Sequence, residues 1–323
     1  MTTTDFATFS NNAIAFASLV YVLAFLSHVA EWAWGRNVPV SALAMEPLRV
    51  GGGASTHAID DTPDQAAVQR VEKFGRVGVS LTVLACLLHL AGVVSRGLAA
   101  DPIRVPWGNM YEFAVVGSFG VTVIYLLLLP KYNLRWLGLP VTSFAIVVLM
   151  LAVLLLYVPA GPLVPALHSY WLVVHVMAAA TGAGAFAIGA MTSLLFLVKE
   201  RAERRGTLKT TGYIARLPDS KALDRVAYRV HAFGFPIWTF AALVAGPIWA
   251  QYAWGRYWGW DPKEVWAFIT WVVYAAYLHA RATAGWKGKA AAVVALIGFA
   301  TVLFNFVGIN LFGSGLHSYS GLD

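Results

Sequence analysis

The chain is poor in cysteine and in charge. Its 323 residues include a single cysteine, Cys86, which excludes an intramolecular disulfide and a cysteine-rich metal site. Only 12% of the residues are charged, whereas 59% are hydrophobic and the mean hydropathy is +0.66. Soluble domains carry about twice that share of charged residues. The composition therefore predicts an all-α, polytopic integral membrane protein, in which Cys86 is a small buried hydrophobe.

Eight segments are long and apolar enough to cross a bilayer as helices. They are 12–32, 77–96, 111–130, 136–158, 171–198, 231–251, 264–281 and 290–312. The long polar loop 33–75 contains Gly51-Gly52-Gly53 and is expected to be flexible. We therefore divide the chain into 1–76, a first transmembrane helix with a flexible cytoplasmic loop, and 77–323, a seven-helix membrane core. The N-terminus has no basic region followed by a cleavage site, so no removable signal peptide is expected.

The distribution of Lys and Arg predicts the orientation in the membrane. Loops 33–76, 131–135, 199–230 and 281–289 fall on one side and hold 19 of the 23 basic residues. Positively charged loops stay in the cytoplasm, so both termini and the loop 252–263 are predicted to lie outside. The net charge of +7 is then explained by the basic residues of the cytoplasmic loops, which determine the orientation in the membrane. We expect contacts with membrane lipid and none with nucleic acid.

Large aromatic side chains are concentrated in one predicted outer loop. The run Trp254-Gly-Arg-Tyr-Trp-Gly-Trp-Asp261, with Trp249, Tyr252 and Trp266, places seven rings within the 18 residues 249–266. Aromatic belts are common at membrane boundaries, but a belt scatters its rings among many helices. Concentration in one loop favours a bed for a flat, apolar ligand with charged edges, such as haem.

Asp261 has a local explanation in the same run. Asp261, Pro262 and Glu264 match the N-cap, N1 and N3 positions at the start of a helix. We therefore favour helix capping over ligand contact for Asp261.

Two histidines are predicted on the same outer face. His175 lies one turn into the fifth predicted helix, and His317 follows the outer end of the eighth. Two neutral imidazoles make a six-coordinate haem, and Arg256 can pair with a propionate. These residues predict non-covalent haem b at the outer boundary. No nucleophile or acid–base pair stands out, so no catalytic residue is predicted.

The other histidines allow more than one interpretation. His279 lies near the cytoplasmic end of the seventh predicted helix, where an ionisable residue is a functional candidate. Snorkelling to the headgroups beside Arg281 explains it equally well. For His28 and His89 we favour a hydrogen bond to a neighbouring helix, and for His231 a solvated or interfacial role.

The run Trp254–Asp261 resembles the tryptophan-rich WWD motif of haem-handling membrane proteins. Three further stretches narrow the likeness: Ser169-Tyr-Trp-Leu-Val-Val-His175, Tyr277-Leu-His279-Ala-Arg281 and Gly308-Ile-Asn-Leu-Phe-Gly-Ser-Gly-Leu-His-Ser-Tyr319. Together they resemble the CcsA family, also called ResC or, in some bacteria, CcsB. It is the haem-handling subunit of system II cytochrome c maturation. The likeness covers nearly all eight predicted helices, and the outer segment 106–112 belongs to it.

The resemblance implies roles for individual residues. His175 and His317 would be axial ligands of haem on the outer face, and His279 would be one ligand of an earlier, intramembrane haem. The second intramembrane ligand would come from a Ccs1/ResB-type membrane subunit. The bed of the outer haem would be Trp254, Arg256, Tyr257, Trp258, Trp260, Asp261 and Trp266.

The implied reaction is attachment of haem to apocytochrome c by two thioether bonds at Cys-x-x-Cys-His, as in a cytochrome c synthase of the haem lyase type. Two alternatives stay open. One is a haem carrier or exporter subunit that presents haem and attaches nothing. The other is a bis-histidine electron-transfer protein, which usually pairs two histidines about four helical turns apart on each of two helices; the histidines here lack that spacing.

Overall fold

The computed structural model describes residues 2–40, 65–132, 134–283 and 285–317, and within these ranges it is helical and contains no β-strand. The all-α prediction is thus confirmed. The helices are α1 (Thr3–Trp34), α2 (Gln65–Leu98), α3 (Met110–Tyr132), α4 (Gly138–Leu155), α5 (Tyr170–Arg204), α6 (Tyr213–Arg216), α7 (Ser220–Phe240), α8 (Gly246–Trp254), α9 (Pro262–Ala282), α10 (Lys289–Leu303) and α11 (Ile309–Phe312). Two π-helical segments, Ala241–Ala245 and Phe304–Gly308, connect α7 to α8 and α10 to α11.

Seven stretches of the described chain are long and apolar enough to span a membrane. They are Thr3–Asn37, Gln65–Leu98, Met110–Tyr132, Arg135–Leu155, Tyr170–Arg204, Ser220–Trp254 and Lys289–Phe312. The sequence predicted eight, and the difference is α9. Its 21 residues span about 30 Å at ~1.5 Å per residue. Polar residues near both ends, including Lys263, Glu264, His279 and Arg281, lower its hydropathy below that of the other seven.

The loop predicted at 33–75 is shorter in the structure. Because α2 begins at Gln65, residues 65–75 are helical and the boundary proposed at residue 76 falls inside α2. This part of α2 is held by α1, since the Ser27 hydroxyl donates a hydrogen bond to the Phe74 carbonyl at 2.8 Å. Residues 41–64, including Gly51-Gly52-Gly53 and the flexibility expected there, lie outside the described residues.

The helices pack in two groups that share α5. In the first group, α1 lies along α2 and α4, and α3 packs on both α4 and α5. Ile14, Tyr21, Tyr111 and Leu149 are buried in this group. In the second group, α7 and α10 pack on α5, and α9 packs on α10. Phe186 of α5 stacks on Tyr274 of α9, with ring centroids 3.7 Å apart. The central position of α5 fixes its N-terminal turns, where His175 lies, against α8.

Candidate functional site

A cavity of about 210 Å³ lies at the end of the bundle where the N-terminus of α5, α8, the start of α9 and the π segment before α11 meet. His175 and His317 both line it. Most of the wall is apolar, for example Leu172, Val176 and Ala179. An apolar cavity with a few polar groups is the usual form of a small-molecule or cofactor site.

The His175 ring is held by a backbone carbonyl. Ser169 caps α5 and places His175 in the second turn of that helix. His175 Nδ1 donates a hydrogen bond to the Ala241 carbonyl oxygen at 2.9 Å. Because a carbonyl oxygen only accepts, Nδ1 carries the proton and Nε2 keeps its lone pair. The imidazole also stacks on Trp249, at 5.7 Å between centroids and 9° between planes.

Gly246 provides the room that His175 occupies. A Cβ at Gly246 would lie 3.1 Å from the His175 ring and 3.0 Å from the Ala241 oxygen. These distances are tighter than ordinary van der Waals contact, so any side chain here would press on the ring. The observed position of the His175 ring therefore requires a residue without a side chain at position 246.

His317 is held in the same way, by a carboxylate. Its Nδ1 donates to Asp261 Oδ1 at 2.8 Å, so Nε2 is the ring nitrogen left for a ligand. Trp249 and Trp254 contact the ring edge-on, with centroids 5.4 and 4.7 Å away. Since Trp249 contacts both imidazoles, the structure brings together two histidines that are far apart in the sequence.

Asp261 caps α9 as the sequence predicted. Its Oδ1 accepts from the Lys263 amide at 3.0 Å, and Glu264 Oε2 accepts from the Asp261 amide at 3.0 Å, which completes a capping box. The second carboxylate oxygen accepts from the Leu316 amide at 2.6 Å. Burial raises the pKa of Asp261, but the contacts with His317 and with the two amides outweigh burial and hold that pKa below its usual range. The capping interpretation is confirmed, and the sequence missed the contact with His317.

The donor set suits haem. Two imidazoles that each have Nδ1 bonded to an oxygen would hold the iron through Nε2, as the two ligands of a six-coordinate haem. An oxygen acceptor on the second ring nitrogen is the usual means of orienting a metal-binding histidine. Apolar and aromatic walls suit the porphyrin faces. The residues present therefore fit the group that the sequence predicted.

The rings of the aromatic loop differ in whether they reach the cavity. Trp249 and Trp258 line the cavity, and Trp254 packs on His317. Tyr257 and Trp260 are 62% and 67% exposed and do not line it. These two residues of the predicted bed therefore lie outside the cavity.

Two residues of the loop have left-handed backbone, Gly255 at φ 74° and Trp260 at φ 57°. The exposed Trp260 ring still packs edge-on against Trp258, with ring centroids 5.7 Å apart. Tyr252 is also outward, at 68% exposed. Trp266 packs instead on Phe304 of the second π segment, with ring centroids 4.2 Å apart.

Arg256 lies away from the cavity. The residue is exposed, and its guanidinium folds over Gly259, where a Cβ would meet it at 2.4 Å. The expected pairing of Arg256 with a propionate is therefore not supported by its position. The cation that does line the cavity is Lys263, in the first turn of α9. The sequence analysis did not single it out, although it stands two residues after the capping Asp261.

The outer segment 106–112 forms part of the cavity wall. Trp107, Gly108, Asn109 and Met110 line the cavity. The segment is tied down by Glu112, which accepts from Arg96 Nε at 3.0 Å, from Arg104 Nη1 at 2.7 Å and from the Gly108 amide at 2.7 Å. Two guanidinium groups around one buried carboxylate fix the wall in place.

Both π segments border the cavity. Ala241 and Ala242 come from the first, and Asn305 and Phe306 from the second. In the first segment the Ala241 carbonyl accepts from the amide of Gly246, five residues on, as well as from His175. Pro247 follows and has no amide hydrogen for the Leu243 carbonyl, which favours this irregular turn. Such bulges are frequent at functional sites.

His279 is separate from the cavity. It lies in the last turn of α9, on an exposed face. Eighteen residues separate it from Asp261, which corresponds to about 27 Å along the helix. A ligand held by His175 and His317 therefore does not reach His279.

The remaining histidines do not reach the cavity either. His231 is fully buried against Phe186, which corrects the expected interfacial role. The Gly189 position makes room for its ring, since a Cβ there would lie 2.4 Å away. The Nδ1 of His89 bonds Tyr21 on the neighbouring α1 at 3.4 Å, as expected.

His28 makes its contact within its own helix. Its Nδ1 lies 3.4 Å from Glu31 Oε2, also on α1. The expectation of a bond to a neighbouring helix is therefore wrong for His28. Its ring is nevertheless enclosed by α2 and α4, where a Cβ at Gly78 or Gly138 would collide with it.

Known proteins resemble the chain over this region and beyond it. A family profile described as "Cytochrome C assembly protein" matches residues 107–317. Cytochrome c biogenesis protein CcsA of Porphyra purpurea is 32% identical over 292 residues, covering 79% of this chain and 91% of the relative. Its counterpart in Synechococcus elongatus is 36% identical over 287 residues, covering 76% and 86%.

A solved structure of "Cytochrome c Heme Lyase CcmF" matches with a TM-score of 0.60 at 16% identity. The match covers 100% of this chain and 50% of that chain, so this chain spans half of that protein's length. At this identity the likeness is one of fold.

Proposed function

The chain belongs to the cytochrome c assembly protein family, and on that basis we propose that it holds haem b between His175 and His317 and presents it to apocytochrome c. It is a multi-pass membrane protein of cytochrome c biogenesis. The observation that carries the haem proposal is the matched pair of imidazoles. Each has its Nδ1 bonded to an oxygen, and both line one apolar cavity.

The protein's contribution to the reaction is positioning. Bound haem supplies two vinyl groups, and a thiol of Cys-x-x-Cys-His adds across each double bond, sulfur to one carbon and hydrogen to the other. No oxidant or reductant is consumed in that addition. The Ala241 carbonyl and Asp261 fix the two imidazoles, and Trp249 keeps both rings in place. Pre-set geometry of this kind is what accelerates a reaction between bound groups.

The proposal includes a Ccs1/ResB-type partner subunit at the other end of α9. His279 supplies one ligand to an intramembrane haem there, and the partner supplies the second. An exposed histidine near the end of α9 supports this, because a shared site has to face away from its own chain. In this arrangement α9 is an eighth membrane span, and the aromatic loop and C-terminus are extracytoplasmic.

The test is haem retention in purified full-length protein. We expect His175→Ala and His317→Ala each to lower the haem content or shift the absorption spectrum, because each removes one axial ligand. Added imidazole should restore part of the signal by filling the empty position. His168→Ala is the control, since His168 is exposed and its Nε2 lies 3.1 Å from the Leu163 carbonyl, away from the cavity.

If both variants keep the haem content, the spectrum and the maturation activity of the wild type, the outer site is wrong. Covalent transfer to an apocytochrome, with the partner subunit present, separates attachment from carriage. Haem that is bound but never transferred would favour the non-catalytic carrier.

A further inference from the structure

The cavity is lined by a lysine side chain that forms no ion pair within the described ranges. Among the residues that line the cavity, the side chains that carry an ammonium, a guanidinium or a carboxylate are those of Lys263 and Glu264. Glu264 is engaged, because its Oε2 accepts from the Gly259 and Asp261 amides at 2.8 and 3.0 Å. Within the described ranges, no hydrogen bond or ion pair joins the Lys263 ammonium to another residue. The ammonium is therefore available to a ligand.

Asp261 attracts Lys263 electrostatically, but no ion pair joins the two side chains in the described chain. Asp261 already accepts from the His317 ring, the Leu316 amide and the Lys263 amide. An ammonium withdrawn from water without a paired anion is costly. A site of this kind is stabilised when its ligand brings the missing negative charge.

Two further groups beside the cavity are hydrogen-bond donors. Trp107 and Trp258 line it, and their indole nitrogens are buried with no hydrogen-bond partner in the described chain. An indole nitrogen only donates. Three of the unsatisfied groups around the cavity are thus donors, an ammonium and two N–H groups, which favour a ligand with acidic oxygens. Asn305, whose amide oxygen also lacks a partner, offers both a donor and an acceptor.

We infer that Lys263 pairs with a propionate carboxylate of the bound porphyrin. This inference rests on the proposed function and deepens it. It adds a contact at the porphyrin edge to the two proposed iron ligands, His175 and His317. The propionates and the vinyl groups occupy different edges of the macrocycle. Anchoring a propionate at the start of α9 therefore also selects which edge faces the incoming thiols. Arg256, the cation first expected in this role, is exposed and outside the cavity.

The test compares two ligands that differ only at the carboxylates. Iron protoporphyrin IX and its dimethyl ester are titrated into haem-free, full-length wild type, Lys263→Met and Lys263→Arg, and binding is followed by absorbance. We expect the wild type to bind the diacid about tenfold or more tightly than the ester, because a hydrogen bond to a charged group is lost in the ester. Lys263→Met should lose that preference, and Lys263→Arg should keep part of it.

The ratio of the two affinities is the readout, so a general loss of stability in a variant cancels. Arg256→Met is the matched control, since it removes one cation from the same loop outside the cavity and should keep the wild-type ratio. An equal ratio in wild type and Lys263→Met would overturn the pairing and leave the histidine site standing. Failure of the wild type to bind either porphyrin would overturn the proposed function and this inference with it.

Discussion

Asp261 accepts a hydrogen bond from His317 Nδ1 at 2.8 Å across 56 residues of sequence. The same carboxylate caps α9 by accepting from the Lys263 amide. One side chain thus fixes both the start of a helix and the orientation of a proposed iron ligand. The N-terminus of α9 and the segment after α11 are therefore coupled through Asp261.

Asp261→Asn should weaken haem binding about tenfold or more, the usual effect of losing an outer-shell partner of a metal-binding histidine. Asparagine is also a good N-cap, so α9 itself should persist. Haem titration and far-ultraviolet circular dichroism measure the two effects. Asp219→Asn is the control, because Asp219 caps α7 by accepting from the Ala222 amide at 2.7 Å. Equal affinities in the two variants would contradict a role for Asp261 beyond capping.

Gly246→Ala should lower haem retention by displacing the His175 ring, which a Cβ there would approach to 3.1 Å. Gly120→Ala is the matched control, since a Cβ at Gly120, within α3, would meet no atom within 4 Å. That substitution should leave haem binding unchanged and stabilise the helix by up to about 1 kcal/mol. Haem content and the unfolding temperature of both variants check this. Wild-type haem binding in Gly246→Ala would mean that the ring tolerates displacement.

His279→Ala should lower total haem loading of the complex with the partner subunit, including the outer haem that depends on it. His317→Ala should instead leave the inner haem in place and block maturation, because the two positions are about a membrane thickness apart. Haem content, absorption spectra and maturation are measured in both co-purified variants. Normal maturation in His279→Ala would reduce His279 to a histidine that snorkels to the headgroups.

Reporter fusions at residue 215 and at the C-terminus should report opposite sides of the membrane. Between these points lie the span Ser220–Trp254, helix α9 and the span Lys289–Phe312. If α9 also crosses, the number of crossings is three and the sides differ. A same-side result would mean that α9 does not cross, and the predicted outer position of the C-terminus would then fail.

The sequence predicted the helices well because apolar runs and capping residues are local signals. The box formed by Asp261 and Glu264 is present as expected. The helix count differed at α9, where charged ends and polar aromatics lower the hydropathy of a segment that is still helical. The start of α2 was misjudged, since contacts with α1 extend that helix into a polar stretch.

The sequence predicted the two histidines of the site, but it predicted less well which residues of the aromatic loop line the cavity. His175 and His317 were singled out by topology, and the structure brings them to one cavity. The positions of Arg256 and Lys263 depend on where Gly255 and Trp260 turn the chain, and positive φ at a tryptophan has no clear sequence signal. His231 was misjudged because its burial depends on Gly189, a residue on another helix.

The π segment Ala241–Ala245 has a consequence for the phase of its helix. A π bulge adds one residue to a turn, and one residue corresponds to about 100° of rotation. Removing a residue from this segment would turn α8 about its axis and carry Trp249 away from both imidazoles. Helix α7, which precedes the π segment, would keep its packing on α5. The bulge thus sets the rotation of α8 relative to α7. Substitutions on α7 and substitutions on α8 therefore affect two different faces of the continuous helix independently.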